Sequence, residues 1–115
     1  MIAVIFEVTP HAAGRRAYLE AAAALAPQLD ALDGFMGIER FESLATPGKV
    51  LSLSFWRDEA AVSAWRNRAA HRAAQDAGRR SLFAAYRLRI AEVVRDYGLR
   101  DREQAPADSR ARELR

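Results

Sequence analysis

Of the two histidines in the 115 residues, His71 falls in a stretch with helical apolar spacing, whereas His11 sits in the loop after the first apolar run. Imidazole is the side chain whose ordinary pKa lets it take up and release a proton near neutral pH. Gln75 follows four residues later, on the same side of a helix as His71, and Trp65 stands six residues earlier. A base flanked by an amide donor and an aromatic wall could deprotonate a phenol and hold the anion. The plainer alternative is a surface or half-buried histidine that completes a hydrogen bond. Trp56 and Trp65 could line a flat pocket for an aromatic ligand, although large aromatics where strands meet helices are more often core. Tyr86 could donate to a substrate oxygen or pack across strands. Arg40 could bind an anionic group, or form the more ordinary ion pair with Glu39, Glu42 or Glu92.

Other chemistries find little support. The absence of cysteine excludes disulfides and thiolate metal sites, and with two histidines no protein-built metal centre is expected. There is no glycine-rich phosphate loop, no nucleophile elbow and no paired-carboxylate spacing. The net charge of +3 is mild, and all but one of the 18 basic residues are arginine. Arg66, Arg68, Arg72, Arg79 and Arg80 read as a solvated helix face; no nucleic-acid motif accompanies them. No apolar run is long enough to span a membrane, and no signal-type segment opens the chain, so a soluble cytoplasmic protein is expected.

The elements that must position these residues follow from periodicity. Residues 2–8 (IAVIFEV) read as a strand covered on both faces. From about Ala12, the series Tyr18, Ala21, Ala22, Leu25, Leu29 and Leu32 forms one apolar stripe of a helix, with a kink or a short break expected near Leu25 to Ala26 because of Pro27 and a stop at Asp33-Gly34. Residues 35–43 predict a second strand, with Met36 and Ile38 on one side and Phe35 and Phe41 on the other. Residues 50–56 predict a third, joined to it through Thr46-Pro47-Gly48. Asp58 is the expected N-cap of a helix running to a C-cap at Gly78, and residues 82–95 predict a last strand, with Arg87 and Arg89 facing an interface or solvent. Residues 1–97 thus form one domain. The remainder, 98–115, is a charged tail, expected to be disordered or docked on a partner subunit.

The order β-α-β-β-α-β predicts an α+β, ferredoxin-like fold, a four-stranded antiparallel sheet with both helices on one face. The apolar residues on the other face need a cover that no remaining sequence supplies. A second copy packed sheet to sheet, a homodimer, is the economical one.

Four stretches, IAVIFEVTP, GFMGIERFES, LSLSFWRDEAAVSAWRNRAAH and YRLRIAEV, in this order and spacing, resemble the antibiotic biosynthesis monooxygenase domain family of dimeric α+β barrels. The resemblance implies a homodimer with a pocket between each sheet and its own helices. It also implies one of three functions. The first is cofactor-independent oxidation of a small aromatic, phenolic or quinol substrate, with His71 as base and Trp65, Gln75, Trp56, Tyr86 and Arg40 at the site. The second is a non-catalytic ligand-binding or stress-associated role. The third is heme degradation, which is disfavoured: the position ten residues beyond Trp65 holds Gln75 rather than histidine, and the first strand has Phe6 and Glu7 and no asparagine. No cofactor is therefore expected.

Overall fold

The computed structural model describes residues 1–68 and 82–113, the last three by their backbone alone. Strand β1 (Ile2–Pro10) leads through a short 3-10 turn into helix α1 (Arg15–Asp30). Strands β2 (Phe35–Glu42) and β3 (Val50–Trp56) follow, then helix α2 (Glu59–Arg66), strand β4 (Phe83–Glu92) and a short helix α3 (Ala107–Glu113). The strands form one antiparallel sheet in the order β2-β3-β1-β4. This is the expected ferredoxin-like α+β arrangement. No helix among the described residues is long and apolar enough to cross a membrane.

Register decides which residues face the helices. Across the sheet, Arg40, Ser52, Phe6 and Leu88 form one row, Ile38, Ser54, Val4 and Ile90 the next, and Glu42, Val50, Val8 and Tyr86 another. All three rows lie on the helix side, because side chains alternate along a strand and Val8, Val50, Ser52 and Ser54 are buried. The opposite face carries Ile5, Leu51, Leu53 and Phe55, half-buried, with Phe41 exposed at its margin. Glu7 stands on this open face and pairs with Lys49 at 3.5 Å and Arg89 at 2.9 Å.

The sidedness of β2 differs from expectation. A bulge between Phe35 and Gly37 adds a residue, so that Phe35 and Ile38 both pack on the core while Met36 is exposed. Helix α1 also runs through Pro27 without a break. Pro27 and Ala23, whose carbonyl loses its donor there, are both exposed, so water can satisfy the freed oxygen.

The core is divided in two. At one end of the sheet, Ile2 and Trp56 pack with Leu29 of α1 and with Ala61, Val62 and Trp65 of α2. At the other end, Val8 and Val50 pack with Tyr18 of α1, flanked by Phe6 and Phe83. The first cluster is pinned at the junction of β2 and α2. The Asp58 carboxylate accepts from the Ala61 amide at 2.9 Å, the expected N-cap, and Arg57 bridges Asp58 and Asp33. Arg57 N–H donates to the Gly34 carbonyl at 2.8 Å. Gly34 sits at φ +87°, where a Cβ would lie 2.7 Å from that of Ala61. Helix α2 ends at Arg66, with Asn67 as its C-cap, rather than running unbroken toward Gly78, which lies outside the described residues.

Beyond β4 the chain folds on itself. The Asp96 amide donates to Gln104 Oε1 at 2.8 Å, Arg102 donates to the Gly98 carbonyl and stacks over Tyr97, and Ala105 is buried.

Candidate functional site

Between the two core clusters, the helix side of the sheet turns polar. Ser52 and Ser54 are the buried polar residues there, 8% and 6% exposed, in rows flanked by larger side chains. Ser54 is used locally, its hydroxyl accepting from Trp56 Nε1 at 2.9 Å. Ser52 lies across from Arg40.

Arg40 is placed in this gap by β2. Sequence reasoning expected an ion pair with Glu39, Glu42 or Glu92, and the structure gives it none. Glu42 pairs with Arg15 of α1, Glu39 alternates to the open face, and Glu92 stands beside Ile2 at the far end of the sheet. The Arg40 Nε is buried and finds no acceptor among the described residues. Its neighbour is the phenol of Tyr18, brought down from the first turn of α1. Burial pushes the Tyr18 pKa up, with Arg40 acting in the opposite direction, so the hydroxyl keeps its proton at neutral pH.

Beside this polar strip stands an aromatic wall. Phe83 meets Tyr18 at 5.6 Å between ring centroids, Phe6 at 5.8 Å and Tyr86 at 5.9 Å, and Phe6 meets Tyr86 at 5.8 Å. These separations and their tilted or edge-on geometries suit the ring quadrupole. Tyr86 is 48% exposed and, with Leu88 and Ile90, extends the wall along edge strand β4.

Of the residues singled out from sequence, Tyr86 and Arg40 thus share the helix-side face. Trp56 is 1% exposed and packs edge-on against Phe35 at 5.2 Å. Trp65 is buried in the same cluster on α2. His71 and Gln75 lie outside the described residues. His11 is exposed on the loop after β1, its amide donating to the Leu82 carbonyl. Among the described residues, no group of three or more His, Cys, Asp or Glu is placed to hold a metal ion.

Tyr18, Ser52, Phe6 and Phe83 were not foreseen as site residues. Tyr18 reads as one more member of an apolar stripe, and the alternation of Leu51, Leu53 and Phe55 with Ser52 and Ser54 suggests that the serines face water. The one available signal was the pair of hydroxyl residues on a strand ending in tryptophan.

A sequence profile described as antibiotic biosynthesis monooxygenase matches residues 1–77. A protein of Pyricularia oryzae named jasmonate monooxygenase is 45% identical over 94 residues, covering 82% of this chain and 44% of its own. A Bacillus subtilis protein without assigned function is 32% identical over 62 residues, covering 54% of this chain and 53% of its own. The chain therefore spans about half the length of these relatives. Among solved structures, an antibiotic biosynthesis monooxygenase homologue from Deinococcus radiodurans superposes with a TM-score of 0.76 at 16% identity, covering 85% of this chain and 97% of its own. A cofactor-independent oxygenase from Streptomyces nogalater superposes with a TM-score of 0.70 at 13% identity, covering 83% and 94%. At these identities the superpositions establish the fold.

Proposed function

The chain belongs to the antibiotic biosynthesis monooxygenase family, and on that premise we propose that it is a cofactor-independent monooxygenase of a small phenolic or quinol substrate, acting as a homodimer. The observation that carries this reading is the layout of the helix-side face, an aromatic wall of Phe6, Phe83 and Tyr86 beside a strip bearing Arg40, Ser52 and the Tyr18 hydroxyl. Such a surface suits a flat apolar guest with oxygens on one edge. The names of the relative from Pyricularia oryzae and of the neighbour from Streptomyces nogalater support oxygenase chemistry.

In this reading His71 is the general base. It takes the phenolic proton, Gln75 donates to the resulting oxyanion, Trp65 and Tyr86 line the site, and Trp56 fixes the floor from within the core. Deprotonation raises the electron density of the ring, so that the substrate itself supplies the electrons that reduce dioxygen. A ring C–H becomes C=O; one oxygen atom enters the quinone, and the other leaves as water with the two hydrogens lost from ring carbon and hydroxyl. The open sheet face, with Ile5, Leu51, Leu53 and Phe55, supports pairing of two copies, which removes that apolar surface from water.

An oxygen electrode tests the reading. A panel of naphthols and hydroquinones should give uptake above the protein-free rate for at least one compound, falling to background with His71→Ala. Uptake that is equal in the two proteins, or absent across the panel, overturns it.

A further inference from the structure

Among the described residues, Arg40 has no counter-ion. Its Nε is buried with no acceptor among the described residues, and the carboxylates on its own strand and on the neighbouring strands are either committed elsewhere or turned away. Glu42 belongs to Arg15, Glu7 belongs to Lys49 and Arg89 on the opposite face, and Glu39 also faces away from the helices. The Tyr18 hydroxyl, hydrogen-bonded to the guanidinium, remains protonated because it is buried, and so has a hydrogen to donate. A guanidinium and a phenol converging on one spot leave donors there in excess of acceptors. A buried N–H of a cation left without an acceptor is costly, and a ligand that supplies the acceptor relieves that cost.

We propose that Arg40, assisted by Tyr18, is the anchor for a carboxylate on the substrate, making this chain selective for an aromatic acid over its uncharged isostere. The fork of a guanidinium matches the two oxygens of a carboxylate, which a phenolic oxygen alone does not do. The layout sets the size of the guest. Arg40, Ser52 and Phe6 stand in register on adjacent strands, so the anchor and the aromatic wall are about 10 Å apart at the usual strand spacing. Ser52 stands between them on β3. The acid head group therefore sits at β2 and the ring lies against Phe6 and Tyr86.

This inference rests on the helix-side face being the substrate's face, as in the oxygenase reading, but it is tested by binding rather than turnover. Isothermal titration with cinnamate and with cinnamamide, which has the same shape without the charge, should show cinnamate binding about 10-fold or more tightly to the native chain. Arg40→Gln should abolish that preference, so that cinnamate and cinnamamide bind with equal affinity. Arg40→Lys, which keeps the charge but loses the fork, should retain part of it, and Tyr18→Phe should weaken cinnamate alone. Equal affinity for acid and amide in the native chain, binding of neither at millimolar concentration, or a preference that survives in Arg40→Gln each overturns the proposal. Acid binding through Arg40 without oxygen uptake would refute the oxygenase reading alone. Turnover of neutral naphthols without acid preference would refute this one alone.

Discussion

Replacing Gly34 by alanine probes the joint that holds β2 against α2. Two separable costs arise. At φ +87° an L-residue with a Cβ meets its own carbonyl, a penalty of about 1–2 kcal/mol. The new Cβ would also lie 2.7 Å from the Cβ of Ala61, a separation that real Cβ atoms do not adopt. Because Ala61 is fixed in the first turn of α2, directly after the Asp58 cap, relief requires the helix to move and the Trp56–Trp65 cluster to repack, an overpacking cost of about 1–3 kcal/mol. Gly48 provides the control: its φ is +81°, yet a Cβ there meets nothing within 4 Å. Urea denaturation should therefore show Gly48→Ala losing about 1–2 kcal/mol and Gly34→Ala about 2–5 kcal/mol. Adding Ala61→Gly to Gly34→Ala should recover the contact portion, seen as a coupling of about 1–3 kcal/mol in the double-mutant cycle. Equal losses at the two glycines, or additive effects of Gly34→Ala and Ala61→Gly, would refute the close approach.

Other perturbations follow from the same geometry. Trp56→Phe removes both indole volume and the hydrogen bond to Ser54, and should lower stability by about 1–3 kcal/mol in the same denaturation assay. The Asp58 carboxyl is held below its ordinary value by the Ala61 amide and by Arg57, and the Asp33 carboxyl by Arg57. Both groups bind protons more weakly folded than unfolded, so their contribution is fully present above the unfolded value of 3.8 and is lost as pH falls through the lower folded values. Melting temperature followed through that window should fall less steeply in the Asp33→Asn, Asp58→Asn double variant than in the native chain. Leu53→Glu places a charge in the middle of the open sheet face. Sedimentation velocity at micromolar concentration should show a dimer for the native chain and a monomer for the variant.

The fold was legible because its signals are local. The two-sided apolar pattern of IAVIFEV, the single stripe from Tyr18 to Leu29 and the capping carboxylate at Asp58 each act within a few residues, and each agrees with the topology. What escaped depends on register or on distant partners. The bulge at Phe35 and Gly37 changes which side of β2 faces the helices, and nothing in FMGIERFE announces it. The serines of β3 turn inward because the more apolar set of that strand occupies the open face, an inversion of the usual pattern for a lone chain. Arg40 was visible as a candidate, but that Glu42 would not pair with it could not be seen: Arg15, which captures Glu42, lies 27 residues from it along the chain. Tyr18 was legible only as an apolar helix position until α1 set its hydroxyl beside Arg40.

The central claim is that this face brings a phenolic ring and dioxygen together with the substrate as the source of electrons. Isotopically labelled dioxygen, supplied to the purified protein with a naphthol that supports uptake, tests it most directly. The account predicts a quinone carrying one labelled oxygen atom per molecule formed, at a rate that falls to the protein-free background with His71→Ala. A product labelled from water instead, or full labelling and rate retained in the His71 variant, would contradict it.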